Sequence, residues 1–140
     1  MASELKVDKF TGVTTAGSID VTGEGNSTTT NLQQGLAKSW SSLNQDSSGH
    51  PVYDSKNVAS TTDEGTGETT ITFTNNMGNA NYAIAGAVQS ENESGAGFHV
   101  IGKDSSDPMT TSKYRTDIRD SGGSNRDVLY VSSSIHGDLA

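Results

Sequence analysis

The chain has 140 residues and a formal net charge of −8, and 30% of its residues are hydrophobic and 6% aromatic. That length suits one domain, and the acidic surplus repels phosphate backbones, which argues against direct nucleic-acid binding. The 20 Ser, 17 Thr, 10 Asn and 16 Gly make up nearly half the sequence and leave few side chains for a core. We therefore expect a thin β fold with many loops, or a core completed by association with copies of itself.

The first 31 residues contain two short strand-like runs, LKVDKFTGV and SIDVTG, separated by Gly and Thr. They hold too few large side chains for a core of their own and need another surface for pairing. We interpret residues 1–31 as an N-terminal attachment arm, with a frayed terminus as the alternative. The apolar side chains of this arm are Leu5, Val7, Phe10, Ile19 and Val21.

The segment NLQQGLAKSWSSL, residues 31–43, fits two kinds of secondary structure. Its leucines and Trp40 fall at helical spacing behind Asn31, a good N-cap residue. Gly35 and the serines after Lys38 are weak helix residues, however, and alternation can also place Leu36 and Trp40 on one face of a strand. The strand interpretation is favoured.

The remaining sequence predicts strands. Gly65 and Gly67 mark a hairpin turn before TTITF, where apolar and threonine side chains alternate. In NYAIAGAVQ the small residues on both sides predict a strand covered on both faces. GFHVIG, KYRTDIR and VLYVSSSIH complete about six to eight strands. Residues 32–140 are therefore predicted to form an all-β, antiparallel β-sandwich or jelly-roll-like domain. Its predicted core anchors are Trp40, Ile71, Phe73, Tyr82, Ile84 and Val131.

The residues that could carry chemistry are poorly arranged for it. The three histidines, His50, His99 and His136, show no metal-ligand spacing. Asp117, Asp120 and Asp127 surround a glycine-rich turn, but without EF-hand spacing and with arginines between them, so turn formation is preferred to Ca²⁺ binding.

The sequence also lacks the motifs of common enzyme classes. It has no GxSxG elbow, no P-loop and no dinucleotide fingerprint. We expect no enzymatic activity, no catalytic residue, no cofactor and no metal. The absence of cysteine removes disulfides and thiolate sites, and the opening MASELKVDKF has no signal-peptide pattern. The aromatic rings could form a carbohydrate platform, although core positions are the favoured interpretation.

Four segments resemble a known family: SELKVDKFTG, GLAKSWSSL, VYDSKNVASTTDEGTGETTITFTNNMGNANYAIAGAV and DVLYVSSSIHGDLA. Together they resemble the small C-terminal β-domain, and its N-terminal tether, of tail-fibre-like proteins of marine bacteriophages, including those of cyanobacteria. The likeness covers roughly residues 1–15, 32–90 and the last dozen, whereas 91–125 diverge.

The resemblance implies a β-sandwich-type domain that assembles as a homotrimer and has no catalytic activity. It also implies that Trp40 anchors the core from the first strand and that the arm holds other virion proteins. We therefore predict a structural protein of a bacteriophage virion, made in the host cytoplasm. Its role would be that of a tail fibre or tail appendage that contacts a host surface glycan or receptor. The alternatives are a capsid decoration protein at threefold positions and a lectin unrelated to phage.

Overall fold

The computed structural model describes residues 5–12, 19–22, 29–89, 98–101 and 109–140. The chain divides into two units, Met1–Leu36 and Ala37–Ala140. The predicted boundary after residue 31 lies shortly before this division.

The described residues of the first unit carry little regular structure. Residues 5–12 form neither helix nor strand, and Leu5 and Phe10 expose 74% and 62% of their surface. Strand β1 (Asp20–Thr22) pairs antiparallel with β2 (Thr29–Asn31), and the helical turn α1 (Leu32–Gly35) follows. The strand prediction is therefore wrong for residues 32–35, where the good helix propensity of Leu and Gln prevails.

The second unit contains eight described strands in two four-stranded antiparallel sheets. Sheet I has the order β4-β3-β10-β7 and sheet II the order β5-β6-β9-β8. The strands are β3 (Ser39–Leu43), β4 (Val52–Lys56), β5 (Val58–Gly65), β6 (Glu68–Phe73), β7 (Ala83–Gln89), β8 (Phe98–Ile101), β9 (Lys113–Arg119) and β10 (Tyr130–His136). The prediction of an all-β chain with antiparallel sheets is confirmed.

Among the described residues, a cluster of buried apolar side chains joins the two sheets. Of the predicted core residues, Ile71, Phe73, Tyr82 and Val131 are buried in it and Ile84 packs half-buried against it. The ring of Phe73 meets Tyr82 edge-on at a centroid distance of 5.6 Å. The other members of the cluster are Leu43, Met77, Tyr114, Ile118, Val128 and Ile135. Because both sheets contribute to one core, the arrangement is sandwich-like.

Buried hydroxyl groups supplement this small apolar core. The Tyr114 hydroxyl on sheet II lies 2.6 Å from Ser133 Oγ on sheet I, and Ser133 Oγ lies 2.9 Å from Ser41 Oγ. All three residues are at most 5% exposed, and burial raises the pKa of Tyr114. Hydrogen bonding makes these polar groups acceptable in the interior, so serine can occupy core positions of a serine-rich chain.

The prediction that Trp40 anchors the core is wrong. Its strand neighbours Ser39 and Ser41 are buried and Trp40 itself is half-buried. Leu43 pairs with Val131 and Ser39 pairs with Ile135, both core residues of β10. Because side chains alternate along a strand, this register turns the odd-numbered residues of β3 inward and Trp40 outward.

The prediction that the alanine-rich strand β7 is covered on both faces is not met within one chain. Ile84 and Val88 pack against the core, as expected for one face. Ala83, Ala85 and Ala87 on the other face are exposed. Along β7 the outer surface of sheet I therefore carries only small side chains.

The predicted hairpin between β5 and β6 is present, and the backbone at Gly67 leaves no room for a side chain. Gly67 has a φ of 74°, and a Cβ there would lie 2.6 Å from the backbone oxygen of Ile118. The Gly67 amide donates a 2.6 Å hydrogen bond to Asp127 Oδ1. The β5–β6 turn therefore packs tightly on the two segments that flank the glycine-rich turn 120–125.

Candidate binding face

The outer face of sheet I places six side chains in two cross-strand rows. Trp40, Ser134 and Ala85 are paired across β3, β10 and β7. Ser42, Ser132 and Ala87 form the next row by the same pairings. We call these six residues the Trp40 cleft. Apart from the indole, no side chain in either row extends beyond a hydroxymethyl group.

The Trp40 cleft is a shallow depression on the sheet. Its volume is about 460 Å³, and the strand residues Ser41, Gly86 and Ser133 complete its floor. Because the side chains in its centre are small, a bound molecule could approach the backbone closely, with the indole beside it. The depression therefore exposes mostly apolar surface, with the indole at one side.

Larger polar and aromatic groups bound the cleft along the central strand β10. At one end Ser134 Oγ lies 3.3 Å from His136 Nε2. Toward the other end the exposed Tyr130 ring lies 5.0 Å from that of Tyr53. Tyr53 and Tyr130 are 50% and 38% exposed, so two further rings are accessible near the cleft.

The residues that line the cleft are not ionisable, but Lys56 and Asp54 on the neighbouring strand β4 continue its two rows, paired with Trp40 and Ser42. Outward positions of β6 and β9 carry ion pairs between Arg115 and Glu68 and between Arg119 and Asp117. The Arg119 Nη2 to Asp117 Oδ2 distance is 2.6 Å, and this hydrogen bond raises the pKa of Arg119. Glu68 and Asp117 are at most 6% exposed, so the carboxylates of both ion pairs are buried.

Sequence reasoning did not identify the serines and alanines of the cleft as site residues. The signal that could have identified them is the alternation of side chains along each strand together with the register of strand pairing. In β3 and β10 the outward serines alternate with Leu43, Val131 and Ile135, which face the core. Strand pairing across the sheet then brings the outward positions together, and pairing is not evident from one strand alone.

His50 belongs to a buried hydrogen-bonded chain. Gln45 Nε2 donates to Thr69 Oγ1 at 2.8 Å, and Thr69 Oγ1 lies 2.7 Å from His50 Nδ1. His50 Nε2 lies 3.5 Å from Asp63 Oδ1. The hydroxyl of Thr69, the imidazole of His50 and the carboxylate of Asp63 follow one another in space as in a hydrolase triad. Thr69, however, is 0% exposed. A substrate cannot reach that hydroxyl, so the chain of bonds is structural.

The other predicted histidines are not part of this chain. His136 lies at the end of the Trp40 cleft, as described above. His99 falls in β8, and its side chain lies outside the part of the molecule that is described.

The three aspartates considered for Ca²⁺ make separate structural contacts. Asp120 accepts hydrogen bonds from the amides of Ser124 and Gly122, and the bond from Ser124 is the main cause of its lowered pKa. Asp117 pairs with Arg119, and Asp127 binds the β5–β6 turn. Within the described residues no group of histidine and carboxylate side chains could hold a metal ion.

The chain was also compared with known proteins. No protein-family model, curated protein or solved structure matches it. Within the described parts of the chain, no helix has the length and apolar character needed to cross a membrane.

Proposed function

We propose that the chain is a non-enzymatic structural protein of a bacteriophage virion, a tail fibre or tail appendage that contacts the host surface. The observation that carries this proposal is the outer face of sheet I, where the accessible rings of Trp40, Tyr53 and Tyr130 lie beside serine side chains of β3 and β10. Such a face suits recognition because rings supply contact area while hydroxyls orient a ligand.

The exposed apolar side chains of the first unit support an attachment role for residues 1–31. Leu5, Val7, Phe10 and Val21 are 74%, 47%, 62% and 51% exposed, respectively. Exposed large apolar side chains favour docking on another protein. The arm would add a strand to an exposed sheet edge of a neighbouring virion protein.

The same arm favours a second candidate function, a capsid decoration protein that stabilises the shell at threefold positions. Its docked state would resemble that of a tail appendage, but its abundance would differ. The homotrimer and the jelly-roll-like topology are further elements of the proposal. A monomer measured by light scattering would count against the trimer.

Copy number distinguishes the two functions. We expect the chain in purified particles of the phage that encodes it, at a small fraction of the abundance of the major capsid protein by quantitative mass spectrometry. A ratio near parity would favour shell decoration. Absence from purified particles would refute both virion functions.

A further inference from the structure

We propose that the outer edge of strand β7 pairs with β7 of a second copy of the chain, in antiparallel orientation about Gly86. Because sheet I has four strands, the two copies would share one eight-stranded sheet across a twofold axis. This contact goes beyond the virion function proposed above and does not depend on it. Alone it gives a dimer, and in combination with the proposed trimer it gives a hexamer.

Strand β7 lies at the edge of sheet I and, among the described residues, pairs only with β10. That pairing runs from Ala83 to Gln89 without a register shift. Ala85, Gly86 and Ala87 in the middle of the strand are exposed. An antiparallel strand directs its N–H and C=O groups alternately to its two sides, so pairing on one side leaves a row of them available on the other. The outer edge of β7 can therefore accept one more strand.

The other edges of the two sheets carry features that discourage such pairing. Strand β4 contains Asp54 and Lys56 and has a register shift against β3. Strand β5 contains Asp63 and Glu64 and has two register shifts against β6, and β8 has only four residues. Charges, bulges and shortness are the usual protections of edge strands. The sequence of β7, AIAGAVQ, contains no charged residue and no proline, so this long edge lacks all of these protections.

The sequence of β7 reads nearly the same in both directions from Gly86. Ala85 and Ala87 flank this glycine, and Ile84 and Val88 follow. Antiparallel pairing about Gly86 therefore places Ile84 opposite Val88 of the second copy, and Ala85 opposite Ala87 of the second copy. Directly opposed β-branched side chains stabilise a sheet. Ile84 and Val88 are only half-buried against the core, so this register would also cover apolar surface that a single chain leaves exposed.

The size of the contact limits its strength. The seven residues of β7, at ~3.3 Å per residue, give an edge about 23 Å long, and a sheet with its side chains is about 10 Å thick. This area is well below the ~800 Å² per partner of a standard stable interface. We therefore expect an association that is present at high protein concentration and is lost on dilution.

Sedimentation velocity of the full chain measures this association. We expect species that contain an even number of chains, two or six, and whose proportion rises between about 1 and 500 µM protein. An assembly built by the proposed threefold contact alone would contain three chains. The number of chains therefore separates the β7 contact from the trimer.

Two double variants test the register. Ala85→Glu with Ala87→Glu places like charges opposite each other on both sides of Gly86 and should weaken association at least about tenfold. Ala85→Lys with Ala87→Glu places opposite charges there and should associate at least about tenfold more tightly than the double glutamate variant. Ser60→Glu with Thr62→Glu is the matched control, because it adds the same charge at exposed positions of β5 and should associate as wild type does.

Four outcomes would overturn the proposal. They are wild-type protein that stays monomeric or purely trimeric over the whole range, equal association of wild type and the double glutamate variant, equal association of the two β7 variants, and equal weakening by the control. Both β7 variants carry charges at the same exposed positions, so their difference does not depend on the stability of the single chain. The mass spectrometry described above is independent of all four outcomes. A virion protein that fails this test would keep its proposed function and lose this contact.

Discussion

Replacing Thr69 by valine should destabilise the chain by about 2 kcal/mol, although valine has nearly the same shape. Thr69 is 0% exposed and lies within 2.8 Å of Gln45 Nε2 and 2.7 Å of His50 Nδ1. Valine keeps the β-branched shape suited to β6 but removes the hydroxyl that both neighbours use. The perturbation is therefore confined to hydrogen bonding.

The magnitude follows from what each neighbour loses. His50 is 2% exposed, and leaving a buried ring nitrogen without a partner costs about 1–3 kcal/mol. Gln45 Nε2 keeps its 3.1 Å bond to the Gly67 carbonyl, so its loss is the net value of one bond, about 0.5–1.5 kcal/mol. The new buried methyl group returns about 0.8 kcal/mol.

Urea denaturation measures the effect. With a slope of about 1–3 kcal/mol per molar urea, the midpoint should fall by about 1 M without a change in slope. Thr62→Val is the matched control, because Thr62 is exposed on β5 and its substitution should stay within about 0.5 kcal/mol. If Thr69→Val is as stable as Thr62→Val, the buried chain of bonds does not stabilise the fold and our account of His50 is wrong.

Three further predictions concern close packing and buried hydroxyls. Gly67→Ala should cost more than about 2 kcal/mol, because Gly67 has a φ of 74° and a Cβ there would meet the Ile118 carbonyl at 2.6 Å; an unchanged thermal midpoint would contradict this. Gly137→Ala should cost about 1–3 kcal/mol by overpacking, since a Cβ there would lie 2.8 Å from Tyr82 Cβ, and near-wild-type stability in urea would argue against so tight a contact. Burial raises the pKa of Tyr82 from 10.0 to about 12, so the stability that its protonated hydroxyl gives the fold is complete below pH 10 and is lost as the pH rises toward 12. Tyr82→Phe should therefore lose less stability than wild type between neutral pH and about pH 11, and equal losses would show that this hydroxyl is not responsible.

The strands whose apolar residues alternate with threonine could be predicted from sequence. In β6 the alternation predicts that Thr69, Ile71 and Phe73 share the face that is turned to the core, and these residues are buried in the structure. The glycines that close the preceding hairpin were equally informative, because Gly67 must adopt a conformation that other residues avoid.

Trp40 shows where such reasoning fails. Large aromatic residues are usually assigned to the core, and in a chain this poor in apolar side chains the assignment is attractive. The core face of β3 is instead set by Leu43 and by two small serines, Ser39 and Ser41, which bond to the neighbouring strands β4 and β10. Which serines are buried depends on partners far away in sequence, such as Tyr114, and neither composition nor local spacing contains that information.

The hydroxyl layer formed by Ser41, Ser133 and Tyr114 has a consequence for how the chain responds to temperature. Exposure of apolar surface raises the heat capacity of unfolding, whereas exposure of polar surface lowers it. Each buried serine in place of a leucine or valine therefore increases the polar contribution to the heat-capacity change of unfolding and decreases the apolar one. We expect calorimetry to give a heat-capacity change below the usual ~12–15 cal/mol/K per residue. The free energy of unfolding would then change little with temperature, so that its plot against temperature would be flat.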